Sequence, residues 1–226
     1  MTLVRARAGS HLYGIHTDTS DEDWREVQLA SVDELIGMGT PPTGKQIITG
    51  NQDIVVWELR HVARQLAKAS PTAWELVCTP HQYTTIWTPY WAQLVALRRE
   101  LVHAGIATSH AAYAKQTWQS GVSTGNGKQL GEAVRVVQQG IALLTDIQSY
   151  TPVLCGDVRD LVIALRAGTP GAQEAAQVVV EAGIARLHAH THPVRVCPTE
   201  LLTHYLVRVY RTWIALHTTD TDGNAW

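Results

Sequence analysis

Two aspartates separated by a single residue, Asp21 and Asp23, follow a Gly9-Ser10 pair across a ten-residue spacer. Side chains two apart on a strand point to one face, so both carboxylates of such a pair can meet one cation. A Gly-Ser turn that opens a helical turn presents unpaired backbone N–H groups, and these suit a phosphate. Oxygen ligands for Mg²⁺ beside phosphate donors are the parts that a phosphoryl- or nucleotidyl-transfer site needs. A plainer reading uses the same residues: Thr17 to Asp23 has the composition of an acidic surface turn, with Asp18 and Ser20 capping backbone amides. A calcium loop is excluded by position. Counted from Asp18, the sixth residue is Asp23 where Gly is needed, and the twelfth is Leu29 where Glu is needed.

These residues have to be placed by the elements around them. Alternation of Leu3, Arg5 and Arg7 with Val4, Ala6 and Ala8 predicts a short strand before the Gly-Ser turn. A second strand begins near Asp21 and runs through Trp24, Val27 and Leu29. One helical turn is expected within 31–39, then a loop over 40–52, which is rich in turn formers. Asp53 leads a β-branched strand to Trp57, and Leu59, Val62, Ala63 and Leu66 give a helix that Ser70-Pro71 stops. Residues 73–78 read as another short strand. From Trp87 the pattern turns helical: one helix carrying Leu94, Leu97 and Leu101 to near Gly105, and a short one over 110–120. A regular apolar stripe from Leu130 to Leu144 marks a third, two more follow over 157–167 and 173–188, and a last one is opened by Pro198. The expected fold is α/β (α+β), a small mixed-sheet core over 1–86 followed by a helical domain over 87–219 and a flexible tail over 220–226.

The bulk properties narrow the function classes. The chain has 226 residues, 45% hydrophobic and 17% charged, as an ordinary globular protein does. A net charge of -2 argues against broad attraction to nucleic acid, though not against a local basic groove. Three widely spaced cysteines, Cys78, Cys155 and Cys197, form neither a metal pattern nor a disulfide framework and point to a reducing cytoplasm. No signal peptide or membrane-spanning apolar run is read. The string His188, His190, His192 before Pro193 lies in a connection without a carboxylate at ligand spacing, and reads as surface loop rather than zinc site. Trp87 to Trp91 suits interdomain packing or, alternatively, a stacking platform for RNA bases.

The string Gly9-Ser10-His11-Leu12-Tyr13-Gly14 followed by Thr17-Asp18-Thr19-Ser20-Asp21-Glu22-Asp23 resembles the signature of the polymerase-beta-like nucleotidyltransferases, specifically their RNA-ligase-associated branch, found in bacteria and phages. The segment from Asp53 through Glu75-Leu76 is similar to a second block of that family, in which an Asp heads a strand. The resemblance implies a Mg²⁺ (or Mn²⁺)-dependent enzyme that moves a nucleoside monophosphate from an NTP to an acceptor hydroxyl. An RNA end, a protein or a small molecule could be the acceptor. Asp21, Asp23 and Asp53 are then the catalytic and metal-binding carboxylates. Asp53 also suits a strand-entry turn, and Glu75 is its rival as third ligand. Gly9 and Ser10 would hold phosphate, with Lys128 and Arg135 offsetting its charge. Those two lie seven residues apart on one helix flank, and the segment resembles the family's helical block. A solvated Lys128-Glu132-Arg135 face is the alternative. The stretch Asp157 to Gly168, containing Arg166, resembles a later Leu-x-Arg-x-Gly block, and His11 stands where the family often has Arg. A catalytically inactive nucleotide- or partner-binding module is the competing function.

Overall fold

The alternation in the first residues produces the strand on which the sheet is built. In β1 (Thr2–Arg7), Leu3, Val4 and Ala6 are buried, while Arg5 and Arg7 stay partly exposed. The computed structural model describes residues 1–36, 43–190 and 198–217, without the side chains of Ile36 and His217. Directly after β1 comes the short helix α1 (Gly9–Tyr13). The next strand, β2 (Glu22–Gln28), returns antiparallel to β1 with Arg7 opposite Trp24 and Arg5 opposite Glu26. A single-turn helix, α2 (Val32–Ile36), follows.

The predicted loop over 40–52 is corrected in part. Residues 40–42 lie outside the described residues, but β3 (Gly44–Thr49) and β4 (Gln52–Glu58) form a hairpin across Gly50-Asn51. Every residue of β3 is exposed, so no face of it needed apolar alternation, and its turn-forming neighbours dominated the sequence pattern. Parallel pairing of β4 with β2 sets Asp53 beside Asp23. A fifth strand, β5 (Thr84–Trp87), was not foreseen; it pairs antiparallel with β1 and gives the order β3-β4-β2-β1-β5.

Helix α3 (Leu59–Ala67) starts at Glu58, whose carboxylate accepts hydrogen bonds from the backbone N–H groups of Arg60 (2.8 Å) and His61 (3.3 Å). The strand expected over 73–78 is instead helix α4 (Pro71–Val77). Its residues from Ala73 to Val77 are all buried, which erased the helical period, and Pro71 in the first turn is a helix-start signal. The helix expected to end near Gly105 is divided into α5 (Pro89–Ala96) and α6 (Arg98–Leu101). The short helix expected over 110–120 is the long α7 (Gly105–Thr124). There follow α8 (Gly127–Asp146), α9 (Gly156–Arg166), α10 (Ala172–Ala189) and α11 (Thr199–His217). No helix among the described residues is long and apolar enough to cross a membrane.

Two apolar clusters hold these elements. The larger packs β1 and β2 against α3 and α4, reaches α5 to α8 and α11, and encloses Trp74 and Trp91 completely. Trp91 thus belongs to the core, and the Tyr90 carbonyl accepts a bond from the Tyr205 hydroxyl (3.0 Å), so the Trp87–Trp91 segment packs within the protein. The smaller cluster lies among α7, α8, α9 and α10 and includes Ile15 from just after α1. Helix α8 enters both, with Val134 and Val137 in one and Leu143 and Leu144 in the other.

Candidate functional site

The site begins where β1 runs into α1. The Ala8 N–H donates to the Asp23 carbonyl (2.8 Å), which pins the start of α1 to β2. Gly9 has φ 58°, in the left-handed region, and a Cβ there would overlap the Asp23 carboxylate. Glycine is therefore required twice over, by backbone angle and by the close approach. The loop leading into β2 is closed by its own hydrogen bonds, Thr17 N–H to Ser20 Oγ (2.9 Å) and Ser20 N–H to the Thr17 carbonyl (3.0 Å). The Glu22 N–H donates to the Asn51 carbonyl (2.8 Å), tying the entry of β2 to the hairpin turn.

Asp21, Asp23, Gly9 and Ser10 line one cavity of about 470 Å³, together with Lys128, Arg135 and Arg166. The cavity lies between the α1–β2 corner and helices α8 and α9. Asp53 is outside its lining, although it stands beside Asp23 in the parallel pair. Both Asp53 oxygens accept from the Gln46 amide, at 2.8 and 2.9 Å. Among the described residues, no three His, Cys, Asp or Glu side chains are gathered at metal-ligand spacing. The proton affinity of Asp23 is raised, first by burial and then, against Arg25, by the nearby negative charges of Asp53 and Asp21. This crowding of like charge is what a divalent cation relieves, and hard carboxylate oxygens suit Mg²⁺ or Mn²⁺. Asp21 and Asp23 fit such an ion; Asp53 faces Gln46.

Arg135 is only 5% exposed. Its Nη1 approaches the Glu75 carboxylate at 2.5 Å, while its Nε and Nη2 donate to Glu132 at 2.9 and 2.6 Å. The guanidinium lies 4.5 Å from the Tyr13 ring centroid, and the Tyr13 hydroxyl donates to Glu75 (2.8 Å). Glu75 comes from helix α4, and burial raises its proton affinity with Arg135 opposing. It belongs to this ion-pair cluster beneath the cavity. Lys128 and Arg166 also line the cavity and make no ion pair among the described residues. Arg166 was not among the expected ligands; its resemblance to the Leu-x-Arg-x-Gly block was the signal that could have included it.

His11 turns away from this cavity. Its ring stacks on His16 at 4.4 Å, and its Nε2 lies 3.5 Å from the Ser20 carbonyl oxygen. His188 is in the last turn of α10 rather than in a loop, whereas His192, Pro193 and Cys197 lie outside the described residues.

A mixed five-stranded sheet with an acidic pair beside a Gly-Ser helix, followed by helices, is the α/β arrangement of a nucleotidyltransferase. Residues 1–154 match the RNA repair pathway DNA polymerase beta family, and the chain belongs to that family. Among solved structures it is similar to the crystal structure of a nucleotidyltransferase-like protein from Exiguobacterium sibiricum 255-15, with 15% identity, a TM-score of 0.30, and coverage of 93% of this chain and 74% of that one. No curated protein matches the sequence.

Proposed function

We propose that this protein transfers a nucleoside monophosphate from an NTP to an acceptor hydroxyl, with an RNA end as the acceptor and Mg²⁺ or Mn²⁺ as cofactor. One observation carries the reading: the acidic pair, the Gly-Ser helix start and two cations without an ion pair among the described residues face a single cavity whose size suits a nucleotide. Gly9 and Ser10 take the terminal phosphates, and Lys128 and Arg166 offset their charge, with Arg135 behind them. A cation held by Asp21 and Asp23 would neutralise the triphosphate and make the acceptor hydroxyl more acidic. In the reaction the acceptor oxygen bonds to the α-phosphorus, the bond to pyrophosphate breaks, and the hydroxyl proton leaves. Asp53, once released by Gln46, is the third carboxylate and the neighbour of that proton. Residues 1–86 form the catalytic core in this reading, and 87–219 the helical part that closes over the nucleotide.

The test uses NTP radiolabelled at the α-phosphorus with an RNA acceptor and Mg²⁺. Wild-type protein should label the RNA, and Asp21→Asn and Asp23→Asn should each reduce the rate on the order of a thousandfold while remaining folded. Undiminished transfer by both variants would falsify the proposal. A second reading, nucleotide binding without turnover, draws on the Gln46 amide that occupies both Asp53 oxygens. It is favoured if NTP with Mg²⁺ stabilises the protein yet no RNA, protein or small-molecule hydroxyl becomes labelled.

A further inference from the structure

A second groove, of about 450 Å³, backs onto the same corner of the molecule. Neighbouring residues of the same segments divide between the two spaces. Ser10, Tyr13, Asp21 and Asp23 face the nucleotide cavity, whereas His11, Glu22 and Trp24 face the groove. The alternation of β2 explains the division, since successive side chains of a strand point to opposite faces. One strand and one turn of helix therefore separate the two spaces; His16 lines the groove, and the Thr17–Ser20 loop that follows it forms the rim of the cavity. A transferase has to bring two substrates to one set of carboxylates, and this groove is adjacent to that set.

The chemistry of the groove is unlike that of the cavity. Arg7, His11, His16 and the Gln82 amide supply N–H donors, and Tyr83 adds an aromatic ring. Arg7 is held in place by stacking on Trp24, at 4.8 Å from the ring centroid. Glu22 is the one acid in the lining. It is opposed by Arg7 at 3.5 Å and accepts a hydrogen bond from Gln52 at 3.0 Å. Arg5 stacks on the same Trp24 ring, also at 4.8 Å, but is paired with Glu26 at 3.5 Å, so Arg7 is the guanidinium that the groove itself offers. Positioned guanidinium and imidazole groups beside the partly exposed Tyr83 ring suit a phosphodiester joined to an unpaired base. With a chain net charge of -2, general electrostatic attraction would contribute little, so contact has to be local.

We infer that this groove receives the acceptor, a single-stranded RNA end, with Arg7 and His16 on its backbone and Tyr83 against a base. The end of the strand crosses the Thr17–Ser20 rim to reach Asp21. This inference rests on the transferase reading for its biological sense, but RNA binding is measured independently of transfer.

The experiment measures binding of a short 5′-fluorescein oligoribonucleotide to the full chain by anisotropy, with NTP binding followed separately by thermal shift. Arg7→Gln and Tyr83→Ala should each weaken RNA binding by about tenfold or more, as loss of one phosphate contact or one stacked base does. Neither should change the thermal shift produced by NTP with Mg²⁺. In the unsubstituted protein, an oligoribonucleotide ending in 4-thiouridine should photo-cross-link within residues 82–85 or at His16. Wild-type RNA affinity in both variants, competition of the oligonucleotide with NTP, or cross-links confined to the nucleotide cavity would overturn the assignment. RNA bound in the groove without any nucleotide transfer would instead remove the transferase reading and leave the groove standing. Transfer to RNA that ignores both substitutions would do the reverse.

Discussion

Arg135 holds the floor of the cavity beside Asp21 and Asp23, with the buried Glu75 and the partly exposed Glu132 as its ion-pair partners. Glu75 and Glu132 approach it from α4 and from its own helix, and Tyr13 covers its face. A buried ion pair gains little over a well-packed apolar pair, but removing one partner strands the other's charge. Glu75→Gln and Arg135→Met should therefore each lower the unfolding free energy by about 3–5 kcal/mol in urea titrations. The double variant Glu75→Gln with Arg135→Met should lose less than the sum of the separate losses, because no charge is left stranded at either position. Strict additivity would mean that the three charged groups do not act as a unit. At this scale the sequence was readable where chemistry is local: Gly9, Ser10, Asp21 and Asp23 fall within fifteen consecutive residues and share one cavity. The partners of Arg135 were not readable. Tyr13 and Glu75 are 62 residues apart along the chain, and no spacing rule connects them to a helix still further on.

Among the elements, α8 and α9 set the distance across the cavity, because Lys128 opens one and Arg166 closes the other. At Gly127 the two helices approach backbone to backbone. A Cβ there would overlap the Leu165 carbonyl oxygen and crowd the Arg166 backbone. Replacing Gly by Ala in a helix ordinarily stabilises it by up to about 1 kcal/mol. Here the added methyl meets backbone, which cannot rotate away, and overpacking of this kind costs about 1–3 kcal/mol. Gly127→Ala should accordingly lower the melting temperature and weaken NTP affinity, since both cavity cations are displaced. A raised melting temperature with unchanged affinity would refute the close contact. The same scale shows where periodicity stops being informative. Helix α3 was legible because one face is buried and the other is not. Helix α4, buried almost all round, resembled a β-rich run, and the exposed edge strand β3 resembled a loop. Burial on every side and burial on none remove the same signal.

In the whole molecule, a sheet-based core and a set of helices join along α8, and the order of elements in the sequence was enough to expect that layering. What joins them from inside includes His110 on α7, fully buried against the position of Gly140 on α8. Its Nδ1 pairs with the Ile106 carbonyl at 3.0 Å, while Nε2 has no hydrogen-bond partner among the described residues. Burial, reinforced by Arg135 and only partly opposed by Ile106, lowers its pKa from 6.5 to about 4. In the unfolded chain the imidazole regains its ordinary affinity for protons. As pH falls below 6.5 the unfolded state takes up a proton that the folded state refuses, so stability decreases until about pH 4, where both states are protonated. The shift corresponds to about 3 kcal/mol across that window. The variant His110→Gln can still donate to the Ile106 carbonyl but does not titrate. Unfolding free energies measured for both proteins should run parallel above pH 7 and converge by about 3 kcal/mol, or cross, between pH 6.5 and pH 4. Subtracting one curve from the other cancels the carboxylates common to both, Glu75 and Asp23 among them. A difference that stays flat across the window would mean that water reaches His110 and that α7 and α8 are less tightly closed around it.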